Sequence, residues 1–308
     1  MPLRKTNKTV TLRAARVLLL CACVFALVQP APAQSQKKQT SAAAPPTATL
    51  LTCTTTRHEL RRFGFGSTLT IVGAPTGSIT VEAWSRPELE ITADIELHAN
   101  TEEELARLAA VNGFVLDADT THFRLLTTGT HDRKFMKKLK DFPKPLLAMP
   151  WKIDYHIRVP AVVDLEVTAG NGALSFTGIE GSLQVTAGES NATFDLAGGD
   201  VTATLLGGSA LFRVPASSWR GRGASLKIVR GTITVALPAA FNADIDATVL
   251  RAGEVAGEHD AFAPRDGQPA QTPRAWYVRA GGGGAPLKFE VGDGAIRFAQ
   301  LGEGKPKP

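Results

Sequence analysis

The chain has 308 residues, with 34 Lys and Arg against 29 Asp and Glu. All five excess cations, Arg4, Lys5, Lys8, Arg13 and Arg16, fall in the first 33 residues. Removing them from 34 leaves 29 bases to match 29 acids, so residues 34–308 are neutral and bulk charge excludes nucleic acid as a partner.

Residues 1–33 read as a secretory signal peptide. A cationic stretch without acids precedes the apolar run Val17–Val28, and Ala31-Pro32-Ala33 supplies a small-x-small cleavage pattern. That apolar run falls short of the roughly 20 residues that cross a bilayer as a helix. The expectation is an exported mature chain without a transmembrane segment, either periplasmic or at the cell surface. Leu20-Cys21-Ala22-Cys23 faintly resembles a lipobox. Lipidation at Cys23 would leave only Val17–Ala22 as the apolar core, below the usual length of about 7–15. With Cys21 and Cys23 removed, Cys53 alone remains and no internal disulfide can form.

Residues 34–62 read as a largely disordered linker, rich in Gln, Ser, Lys, Ala and Pro over 34–49. From 63 to 160 the pattern becomes β. Leu69/Ile71 answers Ile79/Val81 across Gly73 and Gly77, and Leu89, Ile91, Ala93, Ile95 and Leu97 alternate as a longer strand. Thr101 with Glu104 forms a capping box for a short helix, 102–111, with Leu105, Leu108 and Ala109 on one face. Phe123–Leu126 and Ile153–Val159 read as further strands.

Between Glu82 and Glu104, eight acids stand against one base, Arg86. Glu90, Asp94 and Glu96 line the polar face of one strand. Calcium would need several oxygens converging, but side chains on one strand face lie about 7 Å apart. Internal ion pairing or solvation is the expectation.

The insert 131–152 carries Arg133, Lys134, Lys137, Lys138, Lys140, Lys144 and Lys152 against Asp132 and Asp141. Phe135, Met136, Leu139 and Phe142 are spaced for one apolar helix face, ended by Pro143. On one reading Arg133, Lys134, Lys137, Lys138, Lys140 and Lys144 make a weak peripheral contact with an anionic surface, such as lipid headgroups or acidic glycan. On the other, the element docks by its apolar side, with the acids of 82–104 as partner for the charge.

A repeat of about 18 residues governs 161–301. LEVTAGNGALSFTGIEGS from Leu165, LQVTAGESNATFDLAGGD from Leu183 and VTATLLGGSALF from Val201 align without gaps. Each opens on an apolar pair at spacing two and carries a second such pair beyond its Gly-rich turn: Leu174/Phe176, Ala192/Phe194 and Ala210/Phe212. Stacking such units about 4.8 Å apart closes a shared core. It predicts a Phe ladder (176, 194, 212) inside and a Thr ladder (168, 186, 204) outside, with Gly170, Gly172, Gly188, Gly207 and Gly208 serving the turns. Leu226/Ile228 with Ile233/Val235 continues the series, and Ile245 begins another coil. A loop at 257–274 interrupts before LKFEVGDGAIRF restores the register of the two pairs. Residues 302–308 read as a disordered tail.

VPAVVDLEVTAGNGALSFTGIEGSLQVTAGESN, GTITVALPAAFNADIDATVLRAGEV, LKFEVGDGAIRF and, at 77–93, GSITVEAWSRPELEITA resemble the putative-adhesin family of bacterial β-strand-repeat domains, a domain of unknown function. The resemblance covers most of 63–301. It implies an all-β fold, a single-stranded, right-handed β-helix or β-solenoid with one short helix, standing outside a bacterial membrane. The turns GESN and LLGGS depart from the family's SNG-type turns, and the basic insert is a second departure.

Catalytic motifs are missing: there is no G-x-S-x-G, H-E-x-x-H, C-x-x-C or P-loop. The six histidines (58, 98, 122, 131, 156, 259) have no ligand spacing and read as surface residues. The Gly run 281–284 opens no helix that could cradle a phosphate. The reading is a non-catalytic, adhesin-like binding or scaffold protein of the cell envelope. No cofactor, metal or catalytic residue is expected, and the partner would be a cell-surface glycan, a protein or a second copy. The alternative is a β-helix carbohydrate-active enzyme of the polysaccharide lyase or hydrolase type. Against it, Glu166, Glu180, Glu189, Asp195, Asp200 and Arg213 sit on scattered rungs.

Overall fold

The computed structural model describes residues 50–139 and 141–301. The leader 1–33, the segment 34–49, Lys140 and the tail 302–308 lie outside the described residues. Where composition predicted linker, Leu51–Arg62 is a 12-residue strand, β1. It is followed by β2 (Thr68–Thr76), β3 (Ile79–Trp84) and β4 (Glu88–Ala99). No apolar alternation announces β1, because its residues are polar on both faces. It is held by antiparallel register with β4, where Thr56 donates to Asp94 at 2.5 Å and His58 meets Glu90 at 3.2 Å.

Helix α1 (Glu102–Ala109) starts at Thr101, whose hydroxyl accepts from the Glu104 amide at 3.2 Å. Strands β5 (Gly113–Ala118) and β6 (His122–Thr128) lead into the insert. The insert contains a four-residue helix, α2 (Arg133–Met136), and a 3-10 turn at Lys144–Ala148, and strand β7 (Trp151–Pro160) leaves it.

Next come β8 (Asp164–Thr177), β9 (Ser182–Asp195) and β10 (Gly198–Arg213). They run parallel with Leu165 opposite Leu183 and Leu183 opposite Val201, one repeat unit on each time. Each strand bends in its middle, so the buried positions shift from Leu165/Val167 to Leu174/Phe176. The two halves form two walls whose apolar sides share one core. Strands β2 and β3 come before them in the sheet, pairing with the first and second halves of β8. Beyond them, β6 extends the first wall and β7 the second. Antiparallel β5 covers β6, while β4 and then β1 cover β7. The described residues are mostly β-strand with short helices, and their strands form one large mixed sheet that does not close.

The Phe ladder is present. Phe176, Phe194 and Phe212 are fully buried, with ring centroids 5.4 and 6.4 Å apart. Thr168, Thr186 and Thr204 stand in register on the outer side.

The order of the later coils departs from sequence order. Strand β11 (Arg220–Pro238) joins β10, and sequence order alone would put β12 (Ala243–Gly257) next. After β13 (Phe262–Pro264) and β14 (Ala275–Ala280), the last strand β15 (Pro286–Leu301) inserts between β11 and β12. The reason lies in apolar content. Strand β15 buries Leu287, Phe289, Val291, Ile296 and Phe298, so both its edges gain from a neighbour, whereas the second half of β12 buries only Val255. That weaker strand takes the last parallel place, with antiparallel β14 and then β13 beyond its first half. Trp276 stacks on Phe298 at 5.7 Å and 9°, and Phe262 meets the same ring edge-on.

A glycine seam marks the bend. Gly208, Gly231, Gly294 and Gly253 stand in register along the stack, and each has positive φ. A Cβ on Gly231 would overlap the carbonyl oxygen of Gly208, and one on Gly294 would overlap that of Gly231. The departing turn GESN places Ser190 in this row between Gly172 and Gly208. Ser190 is accommodated without positive φ and donates its hydroxyl to the Gly170 carbonyl at 3.1 Å.

Candidate functional site

The insert is fixed from both ends. The Thr130 amide donates to Asn112 Oδ1 at 2.9 Å, and His131 packs tilted against Trp151 with centroids 5.4 Å apart. Burial against this surface lowers the His131 pKa, opposed by the Asp132 carboxylate. Asp132 caps α2, accepting from the amides of Lys134 and Phe135 at 2.8 and 3.1 Å. Those same amides hold its carboxyl below the ordinary range.

The helix expected to run as far as Pro143 spans only Arg133–Met136. Prolines at 143 and 145 supply no amide donors, so the chain resumes as a 3-10 turn. The residues that seat the insert are Leu146, at 2% exposure, with Phe142 and Met149 packed on the core. Phe135 and Met136 are half-buried and Leu139 is exposed. Leu146 was missed because a lone apolar pair inside Lys-Pro-Leu-Leu has no period to reveal it.

Arg133, Lys134, Lys137, Lys138 and Lys144 are all exposed. None forms an ion pair with an acid among the described residues; Lys140 lies outside them. Only Lys152, already in β7, reaches the acidic stripe, meeting Glu96 at 3.1 Å and Asp154 at 3.5 Å.

The stripe finds its other partners in neighbouring strands. Register places Glu90 opposite Arg158, with a 3.0 Å pair, while His58 approaches the same carboxylate from β1. Hydrogen bonding from His58 leads in holding the Glu90 carboxyl below its ordinary range, with Arg158 contributing. Glu82 pairs with His156 at 3.1 Å and Glu103 with Arg107 at 2.8 Å. Apart from Lys152, the described cations of the insert are therefore not what neutralises these acids.

The outer positions of the repeat behave likewise. Arg220 pairs with Glu180 at 2.7 Å, Arg213 with Asp195 at 3.5 Å, Arg222 with Asp200 at 3.7 Å and Arg230 with Glu189 at 3.8 Å. Of the histidines, His259 departs from the surface expectation. It is 8% exposed, bonds the Pro238 carbonyl at 2.9 Å and stacks on Phe262. The Gly run at 281–284 is a turn tied by Asn242, whose Oδ1 accepts from the Gly282 amide at 2.7 Å. Among the described residues, no three His, Cys, Asp or Glu side chains converge as metal ligands would. No helix there is long and apolar enough to cross a membrane.

No family model matches the chain, and no curated protein matches it. Solved structures similar to it include a putative cell adhesion protein from Clostridium sporogenes, 13% identical, with 80% of this chain and 100% of that chain covered and a TM-score of 0.38. A putative adhesin from Bacteroides fragilis is 8% identical over 80% of this chain and 97% of that one, with a TM-score of 0.32. A putative lipid binding protein from Parabacteroides distasonis is 9% identical over 80% and 97%, with a TM-score of 0.22.

Proposed function

We propose that the protein is an exported, non-catalytic, adhesin-like binding protein of the cell envelope, built as a single-stranded, right-handed β-helix, and that its insert contacts an anionic surface. One observation carries the second part of this reading. Many acids and bases elsewhere pair across strands, whereas in the insert Arg133, Lys134, Lys137, Lys138 and Lys144 cluster exposed without an acid partner among the described residues. Leu139 and Leu147 are exposed among them, at 37% and 42%. Ammonium groups beside leucines suit the boundary of an anionic bilayer, where charge attracts and apolar side chains insert shallowly.

Co-sedimentation with vesicles of phosphatidylglycerol and of phosphatidylcholine tests this at low and high salt. Binding to the anionic vesicles only, lost at high salt, is expected. Replacing Lys134, Lys137, Lys138 and Lys144 by Gln removes four cations at roughly 1 kcal/mol each and should weaken it by up to about a thousandfold. Failure of the intact protein to bind anionic vesicles at low salt would remove the insert from the account.

A further inference from the structure

On the outer face of the first wall, cross-strand register aligns polar side chains in rows running along the stack. One row reads Thr202, Ser225, Lys288, Asp246, Tyr277 across β10, β11, β15, β12 and β14. The next reads Thr204, Lys227, Glu290, Thr248. Where β12 meets β14 this face deepens into a cleft of about 430 Å³, lined by Ser225, Lys227, Asp246, Thr248, Tyr277 and Lys288 among others.

Arg265 lies opposite Tyr277 at the edge of β14, donating its amide to the Tyr277 carbonyl at 3.3 Å. Its side chain reaches Asp246 at 2.5 Å and so holds one of the cleft's carboxylates in place. The Arg265 Nε is buried and has no hydrogen-bond partner among the described residues. The cleft runs into two further depressions. The first shares Ser225 and Lys288 with it, and the second shares Asp200 and Arg222 with the first. Together they track from β14 back to β9, five strand spacings or about 24 Å.

The groups in the deep part define a ligand chemistry. Tyr277 offers a half-buried ring. Ser225 and Thr248 offer hydroxyls, and Asp246 and Glu290 offer acceptors. Lys227 is committed to Glu290 at 3.7 Å, whereas Lys288 forms no ion pair among the described residues. Hydroxyls and carboxylates satisfy the many hydroxyls of a sugar, a ring stacks on its C–H face, and one uncommitted ammonium selects a carboxylate. The volume lies within the range of small-molecule sites, and the track suits a linear chain.

We propose that this cleft binds an acidic oligosaccharide of the uronic-acid class, with Tyr277 as the stacking platform and Lys288 pairing with a sugar carboxylate. The site is separate from the insert and does not depend on the vesicle reading.

Isothermal titration of the exported protein with tetragalacturonate and with cellotetraose tests it. The acidic tetramer should bind and the neutral one should bind at least about fivefold more weakly, the size of one charge-assisted hydrogen bond. Lys288→Gln should weaken the acidic tetramer by about tenfold and leave the neutral one unchanged. Tyr277→Ala should weaken both by about fivefold, with Tyr277→Phe restoring them, which separates stacking from misfolding. The insert variant should keep tetragalacturonate binding even if it loses vesicles. No binding of tetragalacturonate at millimolar concentration, equal binding of the neutral tetramer, or binding indifferent to both Lys288→Gln and Tyr277→Ala would overturn the assignment.

Discussion

Gly231→Ala offers a direct test of the glycine seam. Gly231 has φ of 147° and sits in β11 between Gly208 of β10 and Gly294 of β15. An added Cβ would overlap the Gly208 carbonyl oxygen and lie 2.9 Å from its carbonyl carbon. That carbonyl belongs to the backbone of a bent coil, so it cannot swing aside like a flexible side chain. Two costs add: about 1–3 kcal/mol for an L side chain in that backbone region, and about 1 kcal/mol for each ladder hydrogen bond lengthened as the strands part. With two such bonds affected, the loss is about 3–5 kcal/mol, a large share of the roughly 5–15 kcal/mol typical of a domain. Gly284→Ala separates the terms. Gly284 shares the backbone conformation of Gly231, with φ of 148°, but the nearest atom to its added Cβ is 3.7 Å away, so only the conformational cost applies. Denaturant unfolding followed by circular dichroism should show Gly231→Ala shifted well beyond Gly284→Ala. Equal shifts for the two would refute the claim that close approach of neighbouring coils, and not backbone conformation alone, demands glycine here.

Phe194 is fully buried between Phe176 and Phe212, so Phe194→Ala should cost about 3–5 kcal/mol, read as a lower denaturation midpoint with unchanged slope. Glu90, Glu96 and Asp293 all have pKa values lowered by partners: His58 leading for Glu90, Lys152 for Glu96 and Arg251 for Asp293. Groups whose folded pKa is depressed stabilise above their unfolded values and lose that contribution as pH falls through the folded ones. The melting temperature should therefore hold from neutrality to about pH 4.5 and fall below it; a rise on acidification would contradict the pairing. Incubation with pectate or alginate should yield no unsaturated product by ultraviolet absorbance, and its appearance would favour the enzyme reading over the binding one.

Legibility in the sequence followed the physics of each element. The parallel strands from Leu165 to Phe212 were visible because their pairing repeats one unit in strict register, and a repeat needs no tertiary knowledge to detect. Strand β1 was invisible for the opposite reason. Its stability comes from the edge of β4 and from pairs such as Thr56 with Asp94 and His58 with Glu90, and no local pattern records a partner so far along the chain. The place of β15 was equally hidden, since stack order depends on which strand gains most from two neighbours.

The same distinction explains why sites are harder to see than folds in a stack of this kind. Positions that turn or fill the coil are constrained by an identical neighbour above and below, so they repeat: Phe176, Phe194, Phe212, or Gly208, Gly231, Gly294. A ligand site needs unlike groups brought together, and the row Ser225, Lys288, Asp246, Tyr277 comes from four strands in the order β11, β15, β12, β14. Had β12 followed β11 directly, Lys288 would not lie between Ser225 and Asp246. The insertion of β15 thus assembles the cleft as well as burying Phe289 and Phe298. Phe298→Ala should therefore weaken tetragalacturonate in isothermal titration although Phe298 does not line the cleft, and unchanged affinity would count against this coupling.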